Sequence, residues 1–266
     1  MRTAVFEMAN RMNIGVIAVL DALGFKGIWR RQDLSTLINH LRESVKFGRA
    51  IAKASQYQFT VDPVMSRIGV TSTVRMFSDT VLIAVHFDPS ELREKLVGLG
   101  KDEAWLKNRV VLTVLFDVCM FLSIAIAKKP VLVYRGCVCA GEMLIDSDIF
   151  LGPAVDEAAE KSPLADGGFV WLARSAQSWI SDDMIPTRPV ITLDELAIPY
   201  AVSLKGGSTY QTRVVNPLLM TDEKQRKQII VDTLRSFDTD SVLVEVKQQN
   251  TEAMLERARA VLSKSG

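Results

Sequence analysis

Apolar runs and their spacing divide the first third of the chain into strands and one helix. Residues 14–20 form a continuous Val- and Ile-rich run of strand length, which predicts a buried strand. Residues 33–55 repeat apolar side chains at roughly helical spacing and begin with Asp33, a typical N-cap, so they predict an amphipathic helix. Two strand-like runs, 71–78 and 80–87, then predict a hairpin.

The middle of the chain repeats this arrangement. Residues 110–127 predict a long apolar helix, and residues 131–140 and 142–150 predict a second strand pair that turns at Gly141. A helix is expected from Pro153 to about residue 161, with proline in its first turn. The order β-α-β-β-α-β-β-α predicts an α+β fold, in which a ferredoxin-like antiparallel sheet carries its helices on one face.

Beyond residue 165 the pattern is less regular and predicts an α/β extension. Its expected elements are strands at 169–172, 198–204 and 209–215, a short helix at 173–180, a helix at 222–237, a strand at 240–246 and a helix at 251–263. No repeat or linker divides the chain. We therefore expect a single domain over residues 1–266, with a core at about 13–165 and a C-terminal extension at about 166–266.

The apolar run at 110–127 is 18 residues long, close to the minimum length for a membrane span. Asp117 lies at its centre, where a carboxylate would be costly in lipid. A helix that is apolar nearly all round can equally be the core helix of a soluble domain. We favour the core helix and expect no membrane partner.

Composition and charge narrow the class of protein. The chain is 48% hydrophobic and 24% charged, and its 32 Lys and Arg nearly balance its 31 Asp and Glu. This balance disfavours broad nucleic-acid binding. The three cysteines, Cys119, Cys137 and Cys139, include no C-x-x-C pair, so a structural zinc site is not expected. Reduced, packed thiols and the lack of a signal-peptide core near the N-terminus favour a cytoplasmic protein.

Two carboxylates stand out because apolar, strand-like sequence surrounds them. Asp21 follows the first strand, and Asp79 lies in the predicted hairpin. An ionised carboxylate is costly to bury unless a cation compensates it. Taken singly, each is as readily a turn residue. Together they suggest one or two hard cations held by oxygen ligands.

Four segments carry a resemblance to a known family: Val16–Lys26, Arg75–Asp79, Tyr134–Glu142 and Phe150–Ala159. In order and spacing they resemble the catalytic domain of class III nucleotide cyclases. Among these, they are most similar to the bacterial pyrimidine cyclases of the Pycsar antiphage systems. The resemblance covers a little over half of the chain.

The resemblance implies a site for two ions, Mn²⁺ or Mg²⁺. Asp21 and Asp79 would bind both ions, and the backbone carbonyl of Ala22 would be a further ligand. Such ions can activate the ribose 3′-hydroxyl and hold the triphosphate oxygens.

It also implies a place for the nucleotide. The backbone N–H groups of Leu23, Gly24 and Phe25 would cradle phosphate, at a turn where glycine permits close approach. Arg75 lies where purine cyclases usually carry a lysine that reads the base. Arginine is longer and only donates, which suits the smaller, carbonyl-rich pyrimidines. A solvent-facing or carboxylate-paired arginine is the alternative.

One part of the pattern departs from the family. The positions that usually hold an asparagine and a transition-state arginine hold Asp156 and Glu160, which cannot donate when ionised. For Arg135 and Glu142 we favour a structural ion pair or a dimer contact. Three other cations are candidates for the missing charge: Lys26, Arg135 and Lys161.

These features favour a pyrimidine nucleotide cyclase that converts UTP or CTP to the 3′,5′-cyclic nucleotide (cUMP or cCMP) and pyrophosphate. By resemblance it would be a homodimer, and its product a second messenger for a separate effector protein in antiviral defence. Two alternatives remain open. One is a catalytically inactive cyclase-like module that binds nucleotide or protein, and the other is a purine cyclase.

Overall fold

Eight strands form one sheet in the computed structural model of the protein. It describes residues 12–25, 28–30, 32–181, 191–219, 223–236 and 242–265. The strands described are β1 (Asn13–Ala22), β2 (Thr71–Phe77), β3 (Thr80–Phe87), β4 (Tyr134–Asp146), β5 (Ile149–Leu151), β6 (Val170–Leu172), β7 (Ala197–Ser203) and β8 (Thr209–Val215). Their order is β2-β3-β1-β4-β6-β8-β7, with β5 paired to β4. Of the pairings between these strands, only β4–β6 is parallel.

Nine helices are described around this sheet. They are α1 (Leu34–Val61), α2 (Pro63–Ile68), α3 (Leu92–Val97), α4 (Glu103–Ala127), α5 (Pro153–Lys161), α6 (Arg174–Gln177), α7 (Leu193–Leu196), α8 (Glu223–Arg235) and α9 (Val242–Ser265). The first helix begins as predicted, because the Asp33 side chain accepts a hydrogen bond from the Thr36 N–H at 2.8 Å. The first two long helices and four strands follow the β-α-β-β-α-β order with sheet order β2-β3-β1-β4. The α+β, ferredoxin-like prediction is therefore confirmed.

Helices cover both faces of the sheet, although the sequence predicted them on one. Val16, Ala18 and Leu20 of β1 pack with α1 and α4, as predicted for the core. Ile17 and Val19 face the other way, toward α5, α8 and α9. The C-terminal segment thus extends the sheet and covers its second face. Burial on both sides explains why β1 is a continuous apolar run rather than an alternating one.

The predicted strand pair around Gly141 is wrong. One strand, β4, runs through this glycine, and the chain turns back at Ser147 and Asp148 before β5. Gly141 has φ of +153°, which glycine adopts without strain, so it stays inside the strand instead of ending it. A Cβ at this position would lie 3.6 Å from the Ala154 Cβ of α5, an ordinary contact, so the backbone angle and not the space favours glycine.

The predicted strand at 240–246 is also wrong. Helix α9 begins at Val242 and continues through the predicted helix at 251–263. The apolar, β-branched run at its start is typical of a strand by propensity alone. Burial of Met254, Leu255 and Ala258 against the sheet favours one long helix instead, and this packing outweighs the weak local preference.

The long apolar helix α4 lies in the core. Among the described residues, it is the one helix long and apolar enough to cross a membrane. Most of its side chains are buried between the sheet and α1. Asp117 is buried with them and accepts hydrogen bonds from the Ser55 hydroxyl at 2.8 and 3.0 Å. Burial raises the pKa of Asp117 to about 7, although the Ser55 hydrogen bond opposes this.

We expect Gly136→Ala to destabilise the fold by about 1–3 kcal/mol, the usual cost of overpacking. A Cβ at Gly136 of β4 would lie 2.3 Å from the Val19 carbonyl oxygen and 2.7 Å from Leu20 Cδ2. Gly98 is a matched control, because a Cβ there would meet nothing nearer than 3.5 Å and its φ is −63°. Urea denaturation measures both variants. Equal stabilities for the two would contradict the close β1–β4 approach.

Candidate metal and nucleotide site

The sheet brings Asp21 and Asp79 to the same edge. Asp21 lies at the end of β1, opposite Thr80 of β3 and Arg135 of β4. Asp79 lies in the β2–β3 turn, and its backbone carbonyl accepts a hydrogen bond from the Ala22 N–H at 3.2 Å. The hairpin prediction is therefore confirmed, and it brings the two aspartates to the same edge of the sheet although they are far apart in sequence.

The turn after β1 differs from the predicted phosphate cradle in one donor. The Leu23 N–H donates to the Val133 carbonyl at 2.8 Å, so it is already used within the fold. The role of Leu23 as a phosphate donor stays a prediction, and it would require this N–H to exchange its partner. Gly24 has φ of +69°, which favours glycine, and it keeps its predicted place in the turn with Phe25. Leu23 and Gly24 also line a cavity of about 720 Å³ between the turn, Lys129 and α8.

Arg135 pairs with Asp21 rather than with Glu142. Its guanidinium donates to an Asp21 carboxylate oxygen at 3.2 Å, and the two side chains are 15% and 34% exposed. The expected structural ion pair of Arg135 therefore forms with Asp21 and not with Glu142, and the alternative dimer contact stays a prediction. The ion pair also supplies Asp21 with a cation inside the chain, so burial of this carboxylate does not by itself require a metal.

Lys205 is a second cation, close enough to Arg135 and Asp21 for their charges to act on it. It opens the Lys205-Gly206-Gly207-Ser208 turn between β7 and β8, in which both glycines have positive φ. Burial lowers the pKa of Lys205, nearby Arg135 lowers it further, and Asp166 and Asp21 oppose this. No local signal gives this proximity, because it depends on the order of β4, β6, β8 and β7 in the sheet.

The Tyr134 hydroxyl is an orphaned polar group beside the aspartates. Tyr134 lies opposite Ala22, is 2% exposed and packs edge-on against Phe121 with ring centroids 5.3 Å apart. Its hydroxyl oxygen is buried without a hydrogen-bond partner among the described residues. Burial raises the pKa of Tyr134, and the charges of Asp79 and Asp21 raise it further. Sequence reasoning missed this residue, since a lone tyrosine at a strand start has no distinguishing pattern.

The residues at this edge fit a hard divalent cation. Two carboxylates and the Ala22 carbonyl are oxygen donors, which Mg²⁺ and Mn²⁺ prefer. Within the described ranges, no cluster of three or more His, Cys, Asp or Glu side chains could hold a metal. A two-carboxylate set suits Mg²⁺, which usually keeps several waters and shares its ligands with substrate phosphates. The orphaned Tyr134 hydroxyl is a further polar group that an occupied site could satisfy.

The predicted base-reading residue, Arg75, is bound by the β4–β5 turn. Its Nε donates to the Asp148 carboxylate at 3.1 Å and to the Ser147 carbonyl at 3.2 Å. Its Nη1 donates to the Val74 carbonyl at 3.1 Å. Arg75 and Asp148 line a cavity of about 340 Å³ beside α1. Arg75 therefore has a carboxylate partner here, as the alternative interpretation expected, and its role with a base stays a prediction.

The three candidates for the missing transition-state cation differ in what the structure shows of their surroundings. Lys161 pairs with Glu157 of the same helix at 2.5 Å, and Glu157 also accepts from Ser175 at 2.7 Å. Lys26 lies outside the described residues. Arg135 is therefore the candidate that the described structure places against Asp21.

No protein-family model matches the chain. No curated protein matches it either. Solved protein structures do match it. The solved structures that match include nucleotide cyclase catalytic domains, and three of them illustrate the similarity.

One is the catalytic core of a rhodopsin-guanylyl cyclase with converted specificity, in complex with ATPαS. It is 16% identical over 77% of this chain and 95% of that chain, with a TM-score of 0.46. Another is the non-canonical dimeric guanylyl cyclase domain of the RhoGC fusion protein from Blastocladiella emersonii, with 13% identity over 76% of this chain and 96% of that chain and a TM-score of 0.45. A Trypanosoma brucei adenylate cyclase in its monomeric state is 14% identical over 79% of this chain and 90% of that chain, with a TM-score of 0.37.

Proposed function

We propose that this protein is a nucleotide cyclase that converts a pyrimidine nucleoside triphosphate, UTP or CTP, to its 3′,5′-cyclic monophosphate and pyrophosphate. The observation that carries this is the shared sheet edge of Asp21 and Asp79, joined by the 3.2 Å hydrogen bond from Ala22 to Asp79. Two carboxylates, a glycine turn and the cations Arg135 and Lys205 lie around it. This combination suits a substrate with several negatively charged oxygens.

The chemistry assigned to this edge is an internal displacement at phosphorus. The ribose 3′-oxygen forms a bond to the α-phosphorus, the bond from that phosphorus to the bridging oxygen breaks, and pyrophosphate leaves with the electron pair. The 3′-hydroxyl proton is lost to solvent or to a nearby base. Asp21, Asp79 and the Ala22 carbonyl would hold two divalent cations, which supply Lewis acidity at the hydroxyl and the triphosphate.

Positive charge from the chain itself complements that site. Negative charge develops on the phosphate oxygens as the leaving group departs, and fixed cations stabilise it. Arg135 is anchored by its ion pair with Asp21, so its guanidinium is held in place before the substrate arrives. Gly24 lets phosphate approach the backbone without a side chain in the way. Arg135 would thus take the place of the arginine that is missing at Glu160.

The pyrimidine preference, the homodimer and the role in antiphage signalling rest on the Pycsar resemblance. Arg75 supports the first, because its guanidinium offers donors to the carbonyl oxygens of uracil or cytosine. An effector that responds to the cyclic product would be a separate protein.

An inactive cyclase-like module is the second candidate. The Arg135–Asp21 ion pair favours it, because that pair satisfies Asp21 without any metal. Asp156 and Glu160 on α5 favour it too, since neither can donate a hydrogen bond to phosphate when ionised.

One incubation separates these candidates. The purified protein is incubated with each of the four nucleoside triphosphates and Mn²⁺, and pyrophosphate and cyclic nucleotide are quantified by mass spectrometry. We expect equimolar pyrophosphate and cyclic pyrimidine nucleotide. Cyclic purine at a comparable rate would indicate a purine cyclase, and no product from any triphosphate would indicate the inactive module.

Arg75→Lys is expected to lower the ratio of UTP to ATP turnover by roughly tenfold, the value of one good hydrogen bond. Lysine lacks the planar fork and is shorter, so it cannot reach and orient a small base in the same way. Arg49→Lys is the matched control, because Arg49 lines the same cavity from α1. An unchanged substrate ratio in Arg75→Lys would remove Arg75 from base selection.

A further inference from the structure

The hydroxyl group of Tyr134 is placed where the described part of the fold gives it nothing to bind. The oxygen is buried, and none of the described residues lies within hydrogen-bonding reach of it. Buried polar groups in native proteins nearly always have a partner, so an orphaned one calls for an explanation. Phenylalanine would fill the same space against Phe121 without this cost, because the ring alone makes the edge-on contact.

The position of Tyr134 in the sheet connects it with both aspartates. It is the first residue of β4 and stands opposite Ala22, directly after Asp21 on β1. The Ala22 N–H in turn binds the Asp79 carbonyl. Tyr134 and Asp79 therefore meet at the edge where β1 ends, while the Asp21 side chain lies on the other face of β1 with Arg135. Burial raises the pKa of Tyr134, and the charges of Asp79 and Asp21 raise it further.

We propose that Tyr134 is a positioning residue of the Asp21–Asp79 metal site, whose hydroxyl donates a hydrogen bond to the Asp79 carboxylate when the site holds a divalent cation. This inference rests on the proposed function, because it takes the two aspartates as cation ligands. Ligands in metal sites are commonly oriented by a hydrogen bond from a neighbouring group. Arg135 already orients Asp21 in this way. Tyr134 would do the same for Asp79, so that each carboxylate has a donor of its own.

If Tyr134 has this role, Tyr134→Phe should change the stability of the protein in opposite directions with and without metal. Without metal, the variant should be as stable as the wild type or more stable, because it loses only an unsatisfied hydroxyl. Metal binding should stabilise the wild type more than the variant, because the wild-type hydroxyl then has an acceptor. A tyrosine that serves packing alone would show no such reversal.

Mn²⁺ binding to the nucleotide-free protein tests this without any turnover. Free Mn²⁺ is titrated by electron paramagnetic resonance, and melting temperatures are recorded with and without saturating Mn²⁺. We expect Tyr134→Phe to bind Mn²⁺ roughly 10–100-fold more weakly, as is typical when a metal ligand loses its orienting partner. Its melting temperature without metal should equal or exceed that of the wild type. Ser123→Ala is the matched control, since it removes another buried hydroxyl, on α4, that has no partner among the described residues, and it should leave Mn²⁺ affinity unchanged.

Three other outcomes would contradict the role of Tyr134 or the metal site itself. If the wild type and Tyr134→Phe bind Mn²⁺ equally, the role of Tyr134 is wrong and the metal site stands. If Ser123→Ala weakens binding as much as Tyr134→Phe, the effect is general to the core and the specific role is also wrong. If the wild type shows no saturable Mn²⁺ binding while Asp21→Asn and Asp79→Asn behave identically to it, the metal site of the proposed function fails as well.

Discussion

Asp21→Asn and Asp79→Asn are each expected to lower the rate of cyclic nucleotide formation about a thousandfold or more. Each change removes one anionic ligand, and cations at such sites contribute several kcal/mol of transition-state stabilisation. If the two aspartates hold the same ions, the double variant should lose little more than either single variant. The measurement is the initial rate of cyclic product at saturating Mn²⁺, from single and double variants.

The controls for this experiment separate catalysis from folding. Asp21→Asn leaves the mostly buried Arg135 without its carboxylate partner, so its melting temperature must be compared with that of the wild type. Glu94→Gln, which removes an exposed carboxylate on α3, should retain full activity. Activity within a few-fold of the wild type in either aspartate variant, with a folded protein, would contradict the assigned roles.

Asp117→Asn is expected to stabilise the protein above pH 7. The wild-type pKa of Asp117 is raised from 3.8 to about 7 because the carboxyl is buried in α4. Between these values the folded state binds more protons than the unfolded state, so the free energy of unfolding falls as pH rises from about 4 to 7. A shift of this size lowers the free energy of unfolding by roughly 4 kcal/mol at most, and the full decrease is reached above pH 7. Asparagine keeps the shape without the charge and should flatten this dependence.

The measurement is urea denaturation of the wild type and Asp117→Asn at pH 5 and pH 8. The difference between the two proteins should grow toward high pH. Ser55→Ala is the informative second variant, because the Ser55 hydrogen bond lowers the pKa of Asp117 and stabilises its charged form. Its removal should raise the pKa of Asp117 further, so that the fall in the free energy of unfolding continues to higher pH and the difference between pH 5 and pH 8 grows. Parallel slopes for all three proteins would show that Asp117 does not titrate in this range.

The elements that the sequence predicted well are those with clear local signals. The Asp33 cap fixes the start of α1, and the apolar run of β1 reflects burial on both faces. The β2–β3 hairpin was predicted from two β-rich runs and placed Asp79 correctly. The errors arose where local signals conflict with tertiary structure: Gly141 resembles a turn but lies within β4, and the β-branched start of α9 resembles a strand.

Only some residues of the candidate site could be predicted from the sequence. Asp21 and Asp79 could be found because charge is unusual in apolar, strand-like surroundings. Arg135 was visible but assigned to Glu142, since sequence does not give the β1–β4 register that places it opposite Asp21. Neither Tyr134, which begins one of the four resembling segments, nor Lys205 was assigned to the site. Their proximity to the aspartates depends on sheet order and on side-chain direction, which no local pattern encodes.

The most direct test of the central claim is the number of Mn²⁺ ions bound in the presence of a non-cyclisable UTP analogue with a methylene bridge between the α- and β-phosphates. Electron paramagnetic resonance of free Mn²⁺ measures this stoichiometry. Analogue alone, titrated in parallel, gives the background to subtract. We predict two ions per chain for the wild type and fewer for Asp21→Asn and Asp79→Asn. Equal stoichiometry in all three proteins would contradict a cation site shared by Asp21 and Asp79.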